Sequence, residues 1–182
     1  MARPLPHSWF SENAVALAPR LLGKTMRRGS CAGVIVEVEA YTDDAASHAR
    51  RLTERSRVMH ETYGHWYVYF IYGMHHSVNV TAGTGPGGIL IRAVEPTRGI
   101  PLMKRRRKIS DVKNLTNGPG KLAQAFGATL ADNGTPISGD FVIEDAPDLP
   151  ASRISWGPRI GIREAKELPW RFWVTGNSYV SR

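Results

Sequence analysis

Cysteine is nearly absent from this sequence, which contains Cys31 and no other. A disulfide framework and a thiolate zinc site each need several cysteines, so the chain by itself can form neither. Long apolar runs are also missing, because no stretch approaches the roughly 20 residues of a membrane-spanning helix. Residues 1–6 hold one arginine and no apolar segment, which argues against a secretory signal there. These absences predict a cytoplasmic protein that has no membrane partner.

Acidic residues are few relative to basic ones, since 16 Asp and Glu accompany 24 Lys and Arg and leave a formal net charge of +8. The basic residues cluster at 50–57 and at 104–108. An anionic partner is therefore expected, and nucleic acid is favoured over a membrane surface because no cationic helix carries a broad apolar face. Basic surfaces also serve solubility alone, so the charge by itself does not decide the partner.

The length and composition suit one domain over residues 1–182. The chain has 42% hydrophobic residues, enough for one core, and it contains no repeat or low-complexity tract. Its 18 glycines and 12 prolines are spread along the chain instead of collecting in one linker, which favours a mixed fold with many short connections.

Hydrophobic periodicity, β-branched content and turn residues predict the elements. The predicted helices are 11–22, a single turn at 55–60, a helix from Pro96 to about Lys108, and 120–126. The predicted strands are 24–28, 32–41, 66–72, 76–81, 89–94, 141–144, 154–162 and 170–175. Gly73 and Met74 form the expected turn of an aromatic hairpin.

Familiar nucleotide and metal motifs are not present. The string Gly118-Pro119-Gly120-Lys121 suggests a phosphate loop, but Leu122 stands where the Walker pattern needs Ser or Thr. The milder interpretation is a phosphate anchor formed by backbone amides at the start of a helix. Histidines are frequent between residues 48 and 76, yet no H-E-x-x-H pattern occurs, so no metal site is expected.

Glu39 is the first candidate for chemistry. Period-two alternation places Glu37, Glu39 and Tyr41 on one face of their strand, with His48 a few residues further on. A carboxylate beside aromatic groups is partly desolvated and becomes a better general base near neutral pH. A salt-bridged surface glutamate is the ordinary alternative.

The densest aromatic stretch, residues 66–72, is the second candidate. Alternation places Tyr67 and Tyr69 on the face opposite Trp66 and Phe70, so both faces cannot be equally buried in a two-layer domain. Rings beside basic clusters suit stacking on nucleobases, and Tyr72 at a hairpin tip suits a wedge between base steps. Core packing is the alternative explanation.

Five blocks of sequence carry a family resemblance. They are VEVEAY at 36–41, ASH at 46–48, YVYFIYGMHHSVNV at 67–80, LIRAVEP at 90–96 and NGPGKLAQAFG at 117–127. In this order and spacing they closely resemble the alkyladenine (3-methyladenine) DNA glycosylase family. The resemblance implies an α+β fold with a curved, largely antiparallel sheet, peripheral helices and a protruding hairpin.

The resemblance also implies a reaction and its residues. Glu39 would activate the water that attacks C1′ of a flipped nucleotide, with Arg92 fixing the carboxylate and its water. Around the base, the implied residues are Tyr41 on one side, His48 and Tyr69 on the other, Asn79 at the pocket floor and Tyr72 intercalated in the duplex. The implied DNA-backbone residues are Gly118, Gly120, Lys121, Lys104 and Arg105.

By this resemblance the chain is a monofunctional base-excision-repair enzyme that removes alkylated or deaminated purines from double-stranded DNA. It would need no metal or organic cofactor, act as a monomer, and associate with the nucleoid in a bacterium. Ser56 departs from the family, where asparagine is usual, so the loop 50–64 is expected to differ in geometry. A noncatalytic nucleic-acid-binding module and an RNA-binding domain remain the alternatives, although neither explains Glu39, Tyr41 and His48 occurring together.

Overall fold

Eight antiparallel strands form one sheet in the computed structural model, which describes residues 3–71 and 75–181. The strands are β1 (Thr25–Arg28), β2 (Cys31–Tyr41), β3 (Trp66–Ile71), β4 (His75–Thr81), β5 (Gly88–Arg98), β6 (Phe141–Glu144), β7 (Ile154–Gly157) and β8 (Arg171–Val174). The α-helices are α1 (Ala14–Leu21), α2 (Arg57–Glu61), α3 (Ile100–Arg107) and α4 (Pro119–Phe126). The predicted α+β class with an antiparallel sheet is confirmed.

Strand β2 is the centre of the sheet. The main order is β3-β4-β5-β2-β1-β6, and β8 pairs with both β2 and β7. The short strand β1 covers only residues 31–34 of β2, so residues 37–39 of the same edge are free to pair with β8. Strand β5 pairs along the other edge of β2. The part of β2 that carries Glu37 and Glu39 is therefore enclosed by β5 and β8.

Apolar side chains from the sheet and from α1 and α4 form the main core. Trp66 and Phe141 stack there with ring centroids 3.9 Å apart, and the indole Nε1–H donates to the Phe141 carbonyl oxygen at 3.0 Å. A smaller cluster of Ala49, Met59 and Tyr67 lies apart from this core, with Tyr41 and Tyr69 packed against it. The alternation of β3 thus separates Trp66 from Tyr67 and Tyr69, as the sequence predicts.

Three register shifts interrupt the pairing of β2 with β5. The first falls between Ala32 and Gly33, and the other two fall between Ile35 and Glu37 and between Glu37 and Val38, so that Val36 and Arg92 have no direct partner in this register. Irregularities of this kind change the direction of side chains and are common beside functional sites. Arg92 lies at this irregularity.

The predicted helix from Pro96 is wrong at its start. Strand β5 continues to Arg98, and Pro96 pairs opposite Gly33, where a Cβ would lie 2.8 Å from the Glu95 carbonyl oxygen. The helix begins at Ile100, after Gly99 reverses the chain with φ of 73°. Proline is tolerated in the first turn of a helix and at edge positions of a strand. Here Pro101 lies in the first turn of α3, and Pro96 lies in β5.

The predicted strand 154–162 is too long. Strand β7 ends at Gly157, because Pro158 cannot donate a ladder hydrogen bond. The hairpin turn predicted at Gly73 and Met74, together with Tyr72, lies outside the described residues.

Candidate active site

A cavity of about 530 Å³ opens where β2, β3, β4 and β5 meet the loops 42–50 and 158–162. This volume lies within the range of small-molecule sites and is large enough for a purine ring. Five residues predicted from the sequence line it, namely Tyr41, His48, Tyr69, Asn79 and Arg92. We call it the aromatic cavity. Folding therefore brings together residues that span positions 41 to 92 of the chain.

Glu39 lies directly behind the wall of the aromatic cavity and is fully buried. The Tyr41 hydroxyl donates to Oε2 at 2.6 Å, the Ile160 amide donates to Oε1 at 2.7 Å, and Arg92 Nη1 lies 3.2 Å from Oε1. All three partners line the cavity. A water molecule can therefore contact the carboxylate only after one of these partners shifts.

Tyr41 is held on one ring face by the guanidinium of Arg159, which lies 4.6 Å from the ring centroid. Arg159 is itself fixed by Asp44 at 2.7 Å and by a hydrogen bond to the Ala40 carbonyl oxygen at 3.0 Å. Burial, and then the neighbouring Glu39, raise the pKa of Tyr41 far above its ordinary value. The phenol therefore stays protonated and acts as a hydrogen-bond donor to Glu39.

His48 and Tyr69 form the facing wall. Their rings meet edge to face with centroids 4.8 Å apart, and His48 Nδ1 lies 3.0 Å from the Tyr67 hydroxyl oxygen. The Arg55 guanidinium lies 4.7 Å from the Tyr69 ring centroid. Partial burial, and then the charge of Arg55, lower the pKa of His48. The imidazole is therefore neutral at pH 7.

Asn79 is fixed within the cavity wall by its amide group. Its Nδ2 donates to the Tyr67 carbonyl oxygen at 2.9 Å, with the Ser77 carbonyl oxygen at 3.4 Å. These two bonds hold the side chain at one orientation on β4, in the wall of the aromatic cavity.

The predicted backbone-contact residues lie outside the aromatic cavity. Gly118 precedes α4, whose first residue, Pro119, is part of the cavity wall. Lys121 donates to Asn117 Oδ1 at 2.8 Å. Gly120 borders a separate cleft, and Lys104 and Arg105 are on α3, outside the lining of both.

Sequence reasoning missed several residues of the site. The amide of Ile160 and the guanidinium of Arg159 belong to a loop that was predicted as strand. Pro158 was the available signal, because proline interrupts a strand. Asp44 carries no sequence signal, and Arg55 carries only that of the basic cluster at 50–57, because the partners of both residues are identified only in three dimensions. Buried Ser56 accepts a hydrogen bond from the Thr53 amide at 2.9 Å, which orders the divergent loop.

Residues 3–71 and 75–181 contain neither a cluster of metal-binding side chains nor a membrane-spanning helix. No three His, Cys, Asp or Glu side chains in these ranges gather where a metal ion could bind. Nor does any helix there have the length and apolar character needed to cross a membrane.

Comparison with known proteins supports the resemblance. The family model described as Methylpurine-DNA glycosylase matches residues 8–178. Relatives from several organisms carry the name "Putative 3-methyladenine DNA glycosylase". The protein from Rhodopseudomonas palustris is 43% identical over 185 residues, which cover 98% of this chain and 89% of that protein. Those from Methanoculleus marisnigri and Bacillus subtilis are each 43% identical, with 98% of this chain covered and 98% and 97% of their own lengths.

Proposed function

Since this chain belongs to the methylpurine-DNA glycosylase family and is a DNA glycosylase that hydrolyses N-glycosyl bonds, we propose that its reaction takes place in the aromatic cavity. There it binds one alkylated or deaminated purine extruded from duplex DNA, and a water activated by Glu39 cleaves the glycosidic bond. Family membership excludes the noncatalytic alternatives. The expectations of a monomer and of a cytoplasmic, nucleoid-associated location stay predictions.

One observation carries the proposal. A buried carboxylate is bonded to three residues that line a purine-sized cavity walled by tyrosines and a neutral histidine. A burial of this kind is costly unless the carboxylate is hydrogen-bonded. A lone surface glutamate, the ordinary alternative for Glu39, does not fit these contacts.

Recognition of the lesion requires extrusion. Duplex DNA hides C1′ and the base, and flipping costs a few kcal/mol, less for damaged or mispaired bases. The extruded base would stack between Tyr41 and the His48–Tyr69 wall, with its edge toward Asn79. A cationic alkylated purine is attracted by aromatic faces. Tyr72 would fill the gap left in the duplex and offset part of the cost.

The bond-breaking step uses water as the nucleophile. The water oxygen attaches to C1′, its proton passes to Glu39, and the C1′–N bond breaks with its electron pair going to the base. For a cationic lesion this makes the departing base neutral, whereas a neutral lesion must also be protonated. Glu39 would stabilise the positive charge that develops on the sugar. No lysine lines the aromatic cavity within the described residues, so we propose a monofunctional enzyme that leaves an abasic site.

Backbone contacts would orient the duplex. The amides at the start of α4, at Gly118 and Gly120, lie next to the cavity wall and suit a phosphate, with Lys121 beside them. Lys104 and Arg105 on α3 would contact phosphates further along. Such contacts fix the position of the protein on DNA without reading sequence.

Methylated duplex DNA provides the direct test. Incubation with the protein is expected to release free methylpurines, and alkali is then expected to cut the strands at the abasic sites. Undamaged duplex of the same sequence is the control. Retention of every methylated base would contradict the proposal, and strand cleavage before alkali would contradict a monofunctional reaction.

Two substitutions of Tyr41 separate its ring from its hydroxyl. Tyr41→Phe keeps the stacking face, and we expect base release to fall by about tenfold because a hydrogen bond to a charged group contributes about 1.5–3 kcal/mol. Tyr41→Ala is expected to lower kcat/KM by roughly a further tenfold or more, since stacking contributes about 1–3 kcal/mol per base. Single-turnover kinetics and lesion-DNA affinity measure both effects. Equal losses in the two variants would show that the hydroxyl matters and the ring does not.

The lowered pKa of His48 predicts a pH dependence. Because the shift is downward, the imidazole is neutral above its ordinary value of 6.5 and gains a proton only in more acidic solution. That proton adds a positive charge beside Arg55 and removes an acceptor, so release of a lesion base is expected to fall several-fold in that more acidic solution. The pH–rate profile of His48→Asn should lack this step. A step at the same pH in the variant would assign it to another group.

A further inference from the structure

A second glutamate, Glu37, is fully buried on the same strand as Glu39 and has no role in the mechanism above. A buried carboxylate is expensive unless cations and hydrogen-bond donors surround it. Cations and donors surround Glu37 in this way, and one of them, Arg92, also contacts Glu39.

Glu37 is contacted by three residues from distant parts of the chain. Arg171 Nε donates to Oε1 at 2.7 Å, and Arg92 Nε lies 3.3 Å from the same oxygen. Ser181 donates twice, from its amide to Oε2 at 2.6 Å and from its hydroxyl to Oε1 at 2.9 Å. Both carboxylate oxygens are therefore held, and the position of Glu37 is fixed from two strands and the segment after β8.

Arg92 links this group to the aromatic cavity. Its Nε edge faces Glu37, while its Nη1 lies 3.2 Å from Glu39 Oε1. The Ser181 hydroxyl oxygen lies 3.4 Å from both Nε and Nη2 of Arg92. A guanidinium is planar, so contacts on two of its edges fix its orientation. Two carboxylates and the two guanidiniums of Arg92 and Arg171 also balance in charge.

We propose that Glu37, together with Ser181, is a positioning residue that acts through Arg92. By holding the Nε edge, Glu37 restricts Arg92 to a single contact with Glu39. Without it, Arg92 would be free to turn both nitrogens onto Glu39, because arginine and carboxylate pair readily in a bidentate manner. A second guanidinium nitrogen would then reach Oε2 of Glu39, which now accepts from the Tyr41 hydroxyl. The more strongly neutralised carboxylate would be a weaker base toward water. This inference rests on the proposed function.

The variant Glu37→Gln tests the proposal, since it keeps the shape and removes the charge. We expect the single-turnover rate of base release to fall roughly 10- to 30-fold, with lesion-DNA affinity within about twofold, because small misplacements of catalytic groups are costly. In an Arg92→Lys background the same change should cost less than about threefold, because the two residues act as one unit. A residue that only stabilised the fold would give the same loss in both backgrounds.

Controls keep the test decisive. Glu144→Gln breaks a partly buried ion pair with Arg27 at the β6 edge of the sheet, away from the aromatic cavity, and should leave the release rate unchanged. If Glu37→Gln does not fold, Ser181→Ala removes only the bridging hydroxyl and should still slow release several-fold. A rate unchanged in folded Glu37→Gln or Ser181→Ala, or additive losses with Arg92→Lys, would overturn the proposal. Failure of this proposal can be distinguished from failure of the proposed function. If the proposed function were wrong, Glu39→Gln would retain base release.

Discussion

Glu39→Gln is expected to slow base release by on the order of 10³-fold while lesion-DNA binding is retained, because a general base contributes about 10² to 10⁴ in rate. The amide has the size of the carboxylate and can accept from the Ile160 amide and from Arg92 as the carboxylate does. It cannot take a proton from water. The stacking residues of the aromatic cavity are unchanged, so extrusion and binding should continue.

The measurement compares the single-turnover rate with the dissociation constant for the same lesion duplex. Glu95→Gln is the matched control, because Glu95 accepts a hydrogen bond from Asn177 at 2.8 Å and takes no part in the aromatic cavity. Release by Glu39→Gln at the rate of this control would remove Glu39 from the mechanism. Loss of both binding and base release would instead indicate that the substitution disturbs the cavity.

Arg159→Met is expected to destabilise the fold by about 3 kcal/mol, because it strands a largely buried carboxylate without its cation. Arg159 is buried and contacts Asp44 through two nitrogens, at 2.7 and 3.1 Å. Burial alone would raise the pKa of Asp44, but the hydrogen bonds from Arg159 and two backbone amides lower it. Asp44 therefore remains charged at neutral pH, and that charge would be left unpaired.

Chemical denaturation of the variants measures this loss of stability. Arg57→Met is the control, because its ion pairs with Glu54 and Glu61 are exposed and should contribute less than about 1 kcal/mol. Adding Asp44→Asn to Arg159→Met should recover part of the stability, since the stranded charge disappears. The Arg159 guanidinium also lies 5.2 Å from the Trp170 ring centroid. No recovery in the double variant would mean that the loss comes from packing against the Tyr41 and Trp170 rings instead.

The same substitution should also weaken base binding. Arg159 supports the Tyr41 ring from the face that it covers, and it belongs to the loop whose Ile160 amide donates to Glu39. The stability of this loop and the shape of the aromatic cavity therefore depend on one buried ion pair.

Sequence patterns located the strands of the site because those patterns are local. Alternation and β-branched content predict the β1–β2 hairpin, and β6 is predicted at 141–144 as observed. The aromatic run places Tyr67 and Tyr69 on one face of β3 by the same rule. The predicted element boundaries near Pro96 and Pro158 were wrong, because each proline is compatible with more than one local structure.

The family resemblance named residues that the fold then brought together. Tyr41, His48, Tyr69, Asn79 and Arg92 line one cavity, as expected of a shared base pocket. Their roles in catalysis stay predictions, as does intercalation by Tyr72, which lies outside the described residues.

The amino-acid sequence by itself determined the basic charge, the antiparallel strands, and the presence of an acidic and an aromatic face near each other. These follow from composition and from periodicities that extend over a few residues. Only the tertiary structure decided that Glu39 lies behind the cavity wall and that Glu37 holds Arg92. The contacts responsible join residues 121 and 144 positions apart, Glu39 with Ile160 and Glu37 with Ser181. Local propensity does not act over such separations, because it is the folded sheet that brings these groups within hydrogen-bonding distance.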